Sequence, residues 1–424
     1  MPFGFYMIMA AQFFSALADN ALLIASIYVL REMQSPQEYE PLLKLFFTLS
    51  YVLLAAFVGA FADSMPKWRV MLISNGIKIV GCSLMFFGVH PLAAYAVVGL
   101  GAAAYSPAKY GILTELPPAS QLVKANGWIE GLTIASIILG AVLGGQLVGP
   151  HIAPMLLGFD LPMITTSVDT PPEAAISVIV FIYVLAAIFN LYIPRTGAPM
   201  QPMTGTLALV RDFSHCNARL WSDKLGQISL GTTTLFWGVA GNLRYLVLAW
   251  AAVALGYSTT QATSLQGVVA IGTAVGAVVA SVQMRLHRAT NVIPLGIALG
   301  LLTVLLNFIT NLWVAVPFLI LLGAAGGYLV VPMNALLQHR GHNLMGAGRS
   351  IAVQNFNEQA CILGLGAFYA AMTKVGLSTF VAIAVFGLVV AGVMEGIRRW
   401  HARNLVNDRD EVERLLAIAR SDKH

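Results

Sequence analysis

The chain has 424 residues, 58% of them hydrophobic and only 10% charged, with a formal net charge of +5. A mean hydropathy of +0.77 excludes a soluble globular domain, and so small a positive excess is no signature of nucleic-acid binding. Stretches of about 20 apolar residues predict transmembrane helices, since lipid cannot satisfy an exposed backbone.

The pattern predicts an all-α membrane protein with twelve spans, near 5–31, 41–62, 69–90, 92–113, 127–148, 174–193, 226–255, 260–284, 291–310, 312–337, 351–373 and 377–397. Few charges interrupt them: Asp19, Lys78, Lys109, Glu130, Arg244 and Glu358. A charge near the bilayer centre costs from about 2.5 kcal/mol upward, so these groups are expected to face a polar cavity. Ala16-Leu17-Ala18 imitates a signal-peptide cleavage site, but no basic segment precedes it and the first stretch reads as a span.

Asp19 and Asn20 lie midway along the first span. Between the second and third lies Gly59-Ala-Phe-Ala-Asp63-Ser-Met-Pro66-Lys67-Trp-Arg69, which is similar to the major-facilitator loop signature of a Gly, an Asp four residues on, and basic residues at a tight turn. Asp63 with Lys67 and Arg69 is read there as a conformational latch. Lys78 in the third span reads best as a snorkelling lysine. In the fourth, Pro107 frees a carbonyl and can aim Lys109 inward, against the same snorkelling alternative. Glu130 and Glu358 each sit about one turn into a span, where the helix dipole favours a carboxylate; they read as a gate or as a structural pair. Arg244 cannot shed its proton and must find an anion, either Asp19 or a substrate phosphate, which its fork holds bidentately. Cys82, Cys216 and Cys361 form no CxxC and read as small packing residues. Gly140-x3-Gly144, Gly272-x3-Gly276 and Gly323-x3-Gly327 read as close helix contacts. Val412, Leu415, Leu416 and Ala419 share one face of an expected tail helix that Asp408 and Glu411 would cap.

The basic segments alternate with acidic ones. Lys67, Arg69, Lys124, Arg195, Arg211, Arg219, Lys224, Arg285, Arg288, Arg340, Arg349, Arg398, Arg399 and Arg403 fall on one side, and Glu32, Glu38, Glu40, Asp160, Asp169 and Glu173 on the other. The second side also holds Arg31, Lys44 and Lys374. The positive-inside rule therefore puts both termini in the cytoplasm, although the first span taken alone dissents, with Arg31 outside and no Lys or Arg at its N-terminal flank.

A long basic loop at 194–225 divides the spans into two six-helix halves, 1–193 and 226–397, with a tail at 398–424. The halves echo each other: Asn20 with Asn242, Lys109 with Asn334, and Glu130 with Glu358 stand 222, 225 and 228 residues apart. Two parallel, pseudo-symmetric halves are the layout of major-facilitator transporters. No phosphate loop and no GxSxG elbow occurs, and no His precedes an Asp by five residues as in lipid acyltransferases. These absences point away from an enzyme, and no cofactor or metal is expected.

Asp19-Asn-Ala-Leu-Leu23, Ser106-Pro-Ala-Lys-Tyr-Gly-Ile-Leu113, Leu122-Val-Lys-Ala-Asn-Gly127, Leu235-Phe-Trp-Gly238, Leu243-Arg244, Val331-Pro-Met-Asn-Ala-Leu-Leu-Gln338 and Ile351-Ala-Val-Gln-Asn355 occur in this order. Together they resemble the bacterial lysophospholipid transporters, multi-pass proteins of the Gram-negative inner membrane, over about residues 6–395. The tail departs from the short ending of that family. The resemblance implies movement of lysophospholipid, chiefly 2-acyl-glycerophosphoethanolamine, from the periplasmic to the cytoplasmic leaflet, where a separate acyltransferase restores the diacyl lipid. Its headgroup contacts would be Asp19, Asn20 and Arg244, with Lys109 and its repeat counterpart Asn334 along the path. A zwitterionic headgroup needs one carboxylate and one cation, which Asp19 and Arg244 supply, and the acyl tail can stay in lipid. The alternatives are a proton-coupled antiporter of another amphipathic substrate, with Asp19 or Glu130 as proton site, and a scaffolding protein with purely structural charges.

Overall fold

The computed structural model describes residues 3–36, 39–158 and 170–421; the secondary structure among them is all helical, joined by turns and by a non-helical stretch at 192–205. Glu38, Asp160 and Asp169, used above for topology, lie outside the described residues. Among the described residues nine helices are long and apolar enough to cross a membrane, or ten if one bent pair counts as a span. The chain is thus a multi-pass membrane protein.

Helix α1 (Phe3–Glu32) is followed by α2 (Tyr39–Leu53) and α3 (Ala55–Ser64). The last two form the bent pair, at 65°. Next come α4 (Lys67–Phe86), α5 (Pro91–Glu115), α6 (Leu122–Leu147), the short α7 (Ala153–Leu157) and α8 (Pro171–Leu191). The expected 194–225 loop contains a helix, α9 (Thr206–Ser222). It forms because Cys216 and Leu220 have a place to be buried, against Leu230, Leu337 and Val353. Beyond it run α10 (Gly226–Ala254), α11 (Thr259–Gln283), α12 (Ile293–Leu305), α13 (Leu312–Met345), α14 (Ala347–Lys374), α15 (Thr379–Asn407) and α16 (Arg409–Arg420). Short 3-10 segments, Leu286–Val292 and Leu306–Phe308, flank α12. Of the twelve expected spans, those at α5 and α14 are helices too polar to count by hydropathy.

Two compact units emerge: Met1–Ile112 with Ala135–Val210, and Leu113–Ile134 with Arg211–His424. Within the first, α1 and α4 both pack on α8, and the apolar core runs from Leu17 and Leu22 through Val98 to Ile179. Within the second, α11 pairs with α13, α12 with α15, and α10 with α14. The expected glycine contacts are real: a methyl on Gly276 would run into the Ala324 carbonyl, and one on Gly327 into that of Thr273.

Helix ends carry their own chemistry. Helix α13 runs eight residues past the expected 337 because Arg340, 4% exposed, finds Asp223 there. The guanidinium donates to both carboxylate oxygens, at 3.1 and 2.6 Å, and Oδ1 also accepts the Gly226 N–H that opens α10 (2.7 Å). At Gly346 a φ of +93° separates α13 from α14 within one residue, a conformation that suits glycine. The tail helix α16 exists as expected and buries Val412, Leu415 and Ala419. Its expected capping box does not form; Asp408 instead pairs with Lys224 at 2.9 Å, which raises the Lys224 pKa. Cys82 and Cys216 are buried free thiols and Cys361 is half-buried.

Candidate functional site

In the first unit the backbones of α1 and α6 touch at two glycines. A methyl at Gly140 would stand 2.6 Å from the Leu17 carbonyl oxygen, and one at Gly144 2.7 Å from that of Ala21. This contact fixes the turn of α1 that carries Asp19 and Asn20. With α1 and α4 both packed on α8, Asp19 comes to lie between Lys78 and Tyr183. Its Oδ2 accepts from Lys78 Nζ at 2.8 Å and its Oδ1 from the Tyr183 hydroxyl at 2.6 Å. Lys78 Nζ also donates to Ser15 Oγ (2.9 Å), which donates onward to Asn75 Oδ1 (2.8 Å). The ammonium lies 4.8 Å from the Tyr105 ring centre and 5.9 Å from that of Tyr183, within cation–π reach.

Lys78 is 1% exposed, so the snorkelling reading is wrong. A carboxylate at the same depth on a neighbouring helix lets the ammonium stay inside, where a hydrogen-bonded pair is far less costly than a lone charge. Asp19 meets its charge requirement within its own unit, through Lys78. Asn20 turns its amide back to the Ala16 carbonyl (2.8 Å). Its counterpart Asn242 does the same to Gly238 (2.8 Å) and also reaches the Ile362 carbonyl of α14 (2.9 Å), so the repeat is visible in bonding as well as in spacing.

Lys109, two residues past Pro107 in α5, is 7% exposed and stands 3.9 Å from the Tyr110 ring centre. That burial argues against snorkelling here too. At the turn from α3 to α4, Asp63 and Lys67 pair at 2.8 Å with about 6% side-chain exposure on each. Lys67 also donates to the Ala62 carbonyl (2.8 Å). Arg69 is exposed, with its guanidinium 5.2 Å from the Trp68 ring centre.

The second unit holds its own buried polar network. Asn126 of α6 and Gln338 of α13 exchange two amide hydrogen bonds, at 2.8 and 2.9 Å. Gln354 of α14 donates to Asn334 Oδ1 (2.9 Å) and to Glu358 Oε1 (2.7 Å). Thr233 also bonds to Glu358, and Glu130 is near enough to act on it electrostatically. Glu130 and Glu358 are 3% and 6% exposed. Arg244, on α10, is exposed, and its guanidinium carries no ion pair among the described residues.

Sequence reasoning missed Ser15, Asn75, Tyr105 and Tyr183. A signal existed: Ser15 precedes Asp19 by one helical turn and Asn75 precedes Lys78 by three residues, so each pair shares a face.

A profile of the Major Facilitator Superfamily matches residues 8–364. The chain is 40% identical to the lysophospholipid transporter LplT of Yersinia pestis (strain Pestoides F) over 377 residues, 87% of this chain and 86% of that one. The Yersinia pseudotuberculosis protein of the same name (serotype I, strain IP32953) matches equally. Among solved structures, the transporter FucP aligns with a TM-score of 0.71 at 15% identity, over 94% of this chain and 98% of that one. The human organic anion transporter MFSD10 aligns at 0.69, with 15% identity and coverage of 93% and 100%. The helical architecture and the near full-length kinship agree, and the chain belongs to the major facilitator superfamily and, within it, to the lysophospholipid transporter family.

Proposed function

We propose that this protein moves lysophospholipid, chiefly lysophosphatidylethanolamine, from the periplasmic to the cytoplasmic leaflet of a bacterial inner membrane by facilitated diffusion. A separate acyltransferase would re-acylate it there. The observation that carries this reading is the 40% identity, over 87% of the chain, to proteins named lysophospholipid transporters.

The architecture in this reading has twelve spans, with α5 and α14 as the two polar ones, in halves 1–193 and 226–397 with both termini cytoplasmic. Asp19 would take the headgroup ammonium, beside Asn20. Arg244 would hold phosphate, and Lys109 and Asn334 would line the path. Asp63 with Lys67 and Arg69, and Glu130 with Glu358, would govern the exchange of conformations.

The chemistry supports a zwitterionic cargo. Asp19 and Lys78 form a pair of no net charge at the middle of a span. A headgroup carrying one ammonium and one phosphate can exchange with such a pair without adding charge to the bilayer interior. The test is entry of labelled lysophosphatidylethanolamine into proteoliposomes with no ion gradient. Uptake above that of protein-free vesicles is expected. Uptake only under a proton gradient would transfer the case to a proton-coupled antiporter, and none under either condition would sink the reading.

A further inference from the structure

The cluster around Asp19 leaves two buried polar groups unpartnered among the described residues: the Asn75 amide nitrogen, a donor, and the Tyr105 hydroxyl, which has a proton to donate. Asn75 is 0% exposed; its Oδ1 accepts from Ser15 at 2.8 Å, while its Nδ2 meets no acceptor among the described residues. Tyr105 is 3% exposed and its hydroxyl likewise has no partner. Its ring lies 4.8 Å from Lys78 Nζ. An ammonium offers three N–H bonds, and that of Lys78 makes two, to Asp19 and Ser15. Buried donors without acceptors are rare in folded proteins and call for a reason. What this cluster of side chains lacks is an acceptor with several lone pairs.

We infer that Lys78, Asn75 and Tyr105 form a phosphate-accepting subsite within the first unit, directly beside the Asp19 carboxylate that takes the ammonium. This deepens the proposed function and rests on it. Lys78 holds the place on Asp19 that the headgroup ammonium would take. When a lysophospholipid enters, its own ammonium replaces Lys78 there. The released lysine then turns to the phosphate oxygens, which also receive the Asn75 amide and the Tyr105 hydroxyl. One ion pair becomes two, and two idle donors gain an acceptor. The oxyanion chemistry would equally suit inorganic phosphate, so the source has to be separated by experiment.

Tyr105→Phe is the diagnostic change, because it keeps the ring beside Lys78 and removes a hydroxyl that bonds nothing in the empty protein. Binding of labelled lysophosphatidylethanolamine and of monoacylglycerol, which has the same tail and no phosphate, would be measured on the purified full-length protein in nanodiscs. A hydrogen bond to a charged group corresponds to a loss of about tenfold or more in affinity. That loss is expected for the phospholipid, with monoacylglycerol affinity and the melting temperature of the empty protein unchanged. Lys78→Met should weaken the phospholipid more strongly than Tyr105→Phe and again spare monoacylglycerol. Displacement of lysolipid by millimolar inorganic phosphate would support the subsite and assign it to the oxyanion alone; no displacement would support a site that also reads the lipid. Unchanged phospholipid affinity in Tyr105→Phe, or equal losses for both lipids with a lower melting temperature, would overturn the subsite. Failure of the unaltered protein to bind lysolipid at all would overturn the proposed function instead.

Discussion

Asp19→Asn separates the two ends of the headgroup. In the empty protein the substitution removes a charge whose Oδ2 holds Lys78 at 2.8 Å and whose Oδ1 holds the Tyr183 hydroxyl at 2.6 Å. Lys78 is left as a buried cation. Removing one partner of such a pair costs about 3–5 kcal/mol, and the lower end applies here because Ser15 and two aromatic rings still surround the ammonium. Lysophosphatidylethanolamine loses a charge-assisted bond from its ammonium, worth about 1.5–3 kcal/mol, or roughly ten- to a hundredfold. The glycerol lysolipid has no ammonium to lose, and its phosphate supplies the stranded Lys78 with an anion. The ratio of ethanolamine to glycerol lysolipid uptake should therefore fall at least about tenfold. Arg244→Ala should weaken both lipids alike, since both carry phosphate. The assay is uptake of the two labelled lysolipids into proteoliposomes, normalised to reconstituted protein. Equal losses for both lipids in Asp19→Asn, or a need for a proton gradient in the unaltered protein, would refute the assignment of Asp19 to the ammonium.

Three further outcomes are expected. Asp63→Asn takes the charge from the buried pair with Lys67 and should slow transport several-fold with lysolipid affinity retained, as equilibrium binding against uptake rate would reveal; parallel losses would count against a latch. Lys109→Ala should slow uptake while the amount of protein in the membrane, followed by immunoblot, stays near normal; unchanged uptake would remove Lys109 from the path. Asp223→Ala strands Arg340, 4% exposed, and uncaps α10, so a loss of about 3–5 kcal/mol should appear as a lower melting temperature. Asp223→Leu with Arg340→Met should recover most of it, and a double variant no more stable than Asp223→Ala would show that the pair contributes through something other than charge.

Nine of the expected spans, or ten with the bent pair, were legible because lipid demands long apolar helices, while the polar residues of α5 and α14 weaken that signal. The repeat was legible for a related reason: Asn20 and Asn242 occupy matching turns, and each returns its amide to the carbonyl four residues earlier. The glycine pairs of α11 and α13 could be read as contacts, since only a missing side chain lets two backbones approach so closely. The partner of Lys78 was not legible. Asp19 lies 59 residues away in the chain, and only the packing of α1 and α4 on α8 brings the two to one depth. Helix α9 was hidden by composition. Its apolar anchors Leu209, Cys216 and Leu220 are spaced among Arg211, Asp212 and Arg219, behind a run of Pro and Gly that reads as loop. Asp408 shows the converse failure: a local capping pattern is present, but Lys224 competes for the same carboxylate and wins with a full charge.

The pairing of Lys78 with Asp19 also bears on how a transporter of this kind can work without an energy source. Downhill movement in either direction needs an energy profile with no deep well and no high barrier at the bilayer centre. A lone buried aspartate would create one or the other, holding a cation tightly or requiring a proton from solution. A resident lysine removes that choice. The empty site is then neutral, the occupied site with a zwitterionic headgroup is neutral as well, and the exchange trades hydrogen bonds of similar strength. On the proposed reading selectivity would come from the same pair, because a cargo with an ammonium but no phosphate would displace Lys78 and leave it without an anion. Diacyl lipids carry the same headgroup, so their exclusion has to come from the tails and not from this cluster. In the proposed mechanism the charged cluster would choose the headgroup, and the number of acyl chains would be read elsewhere in the protein.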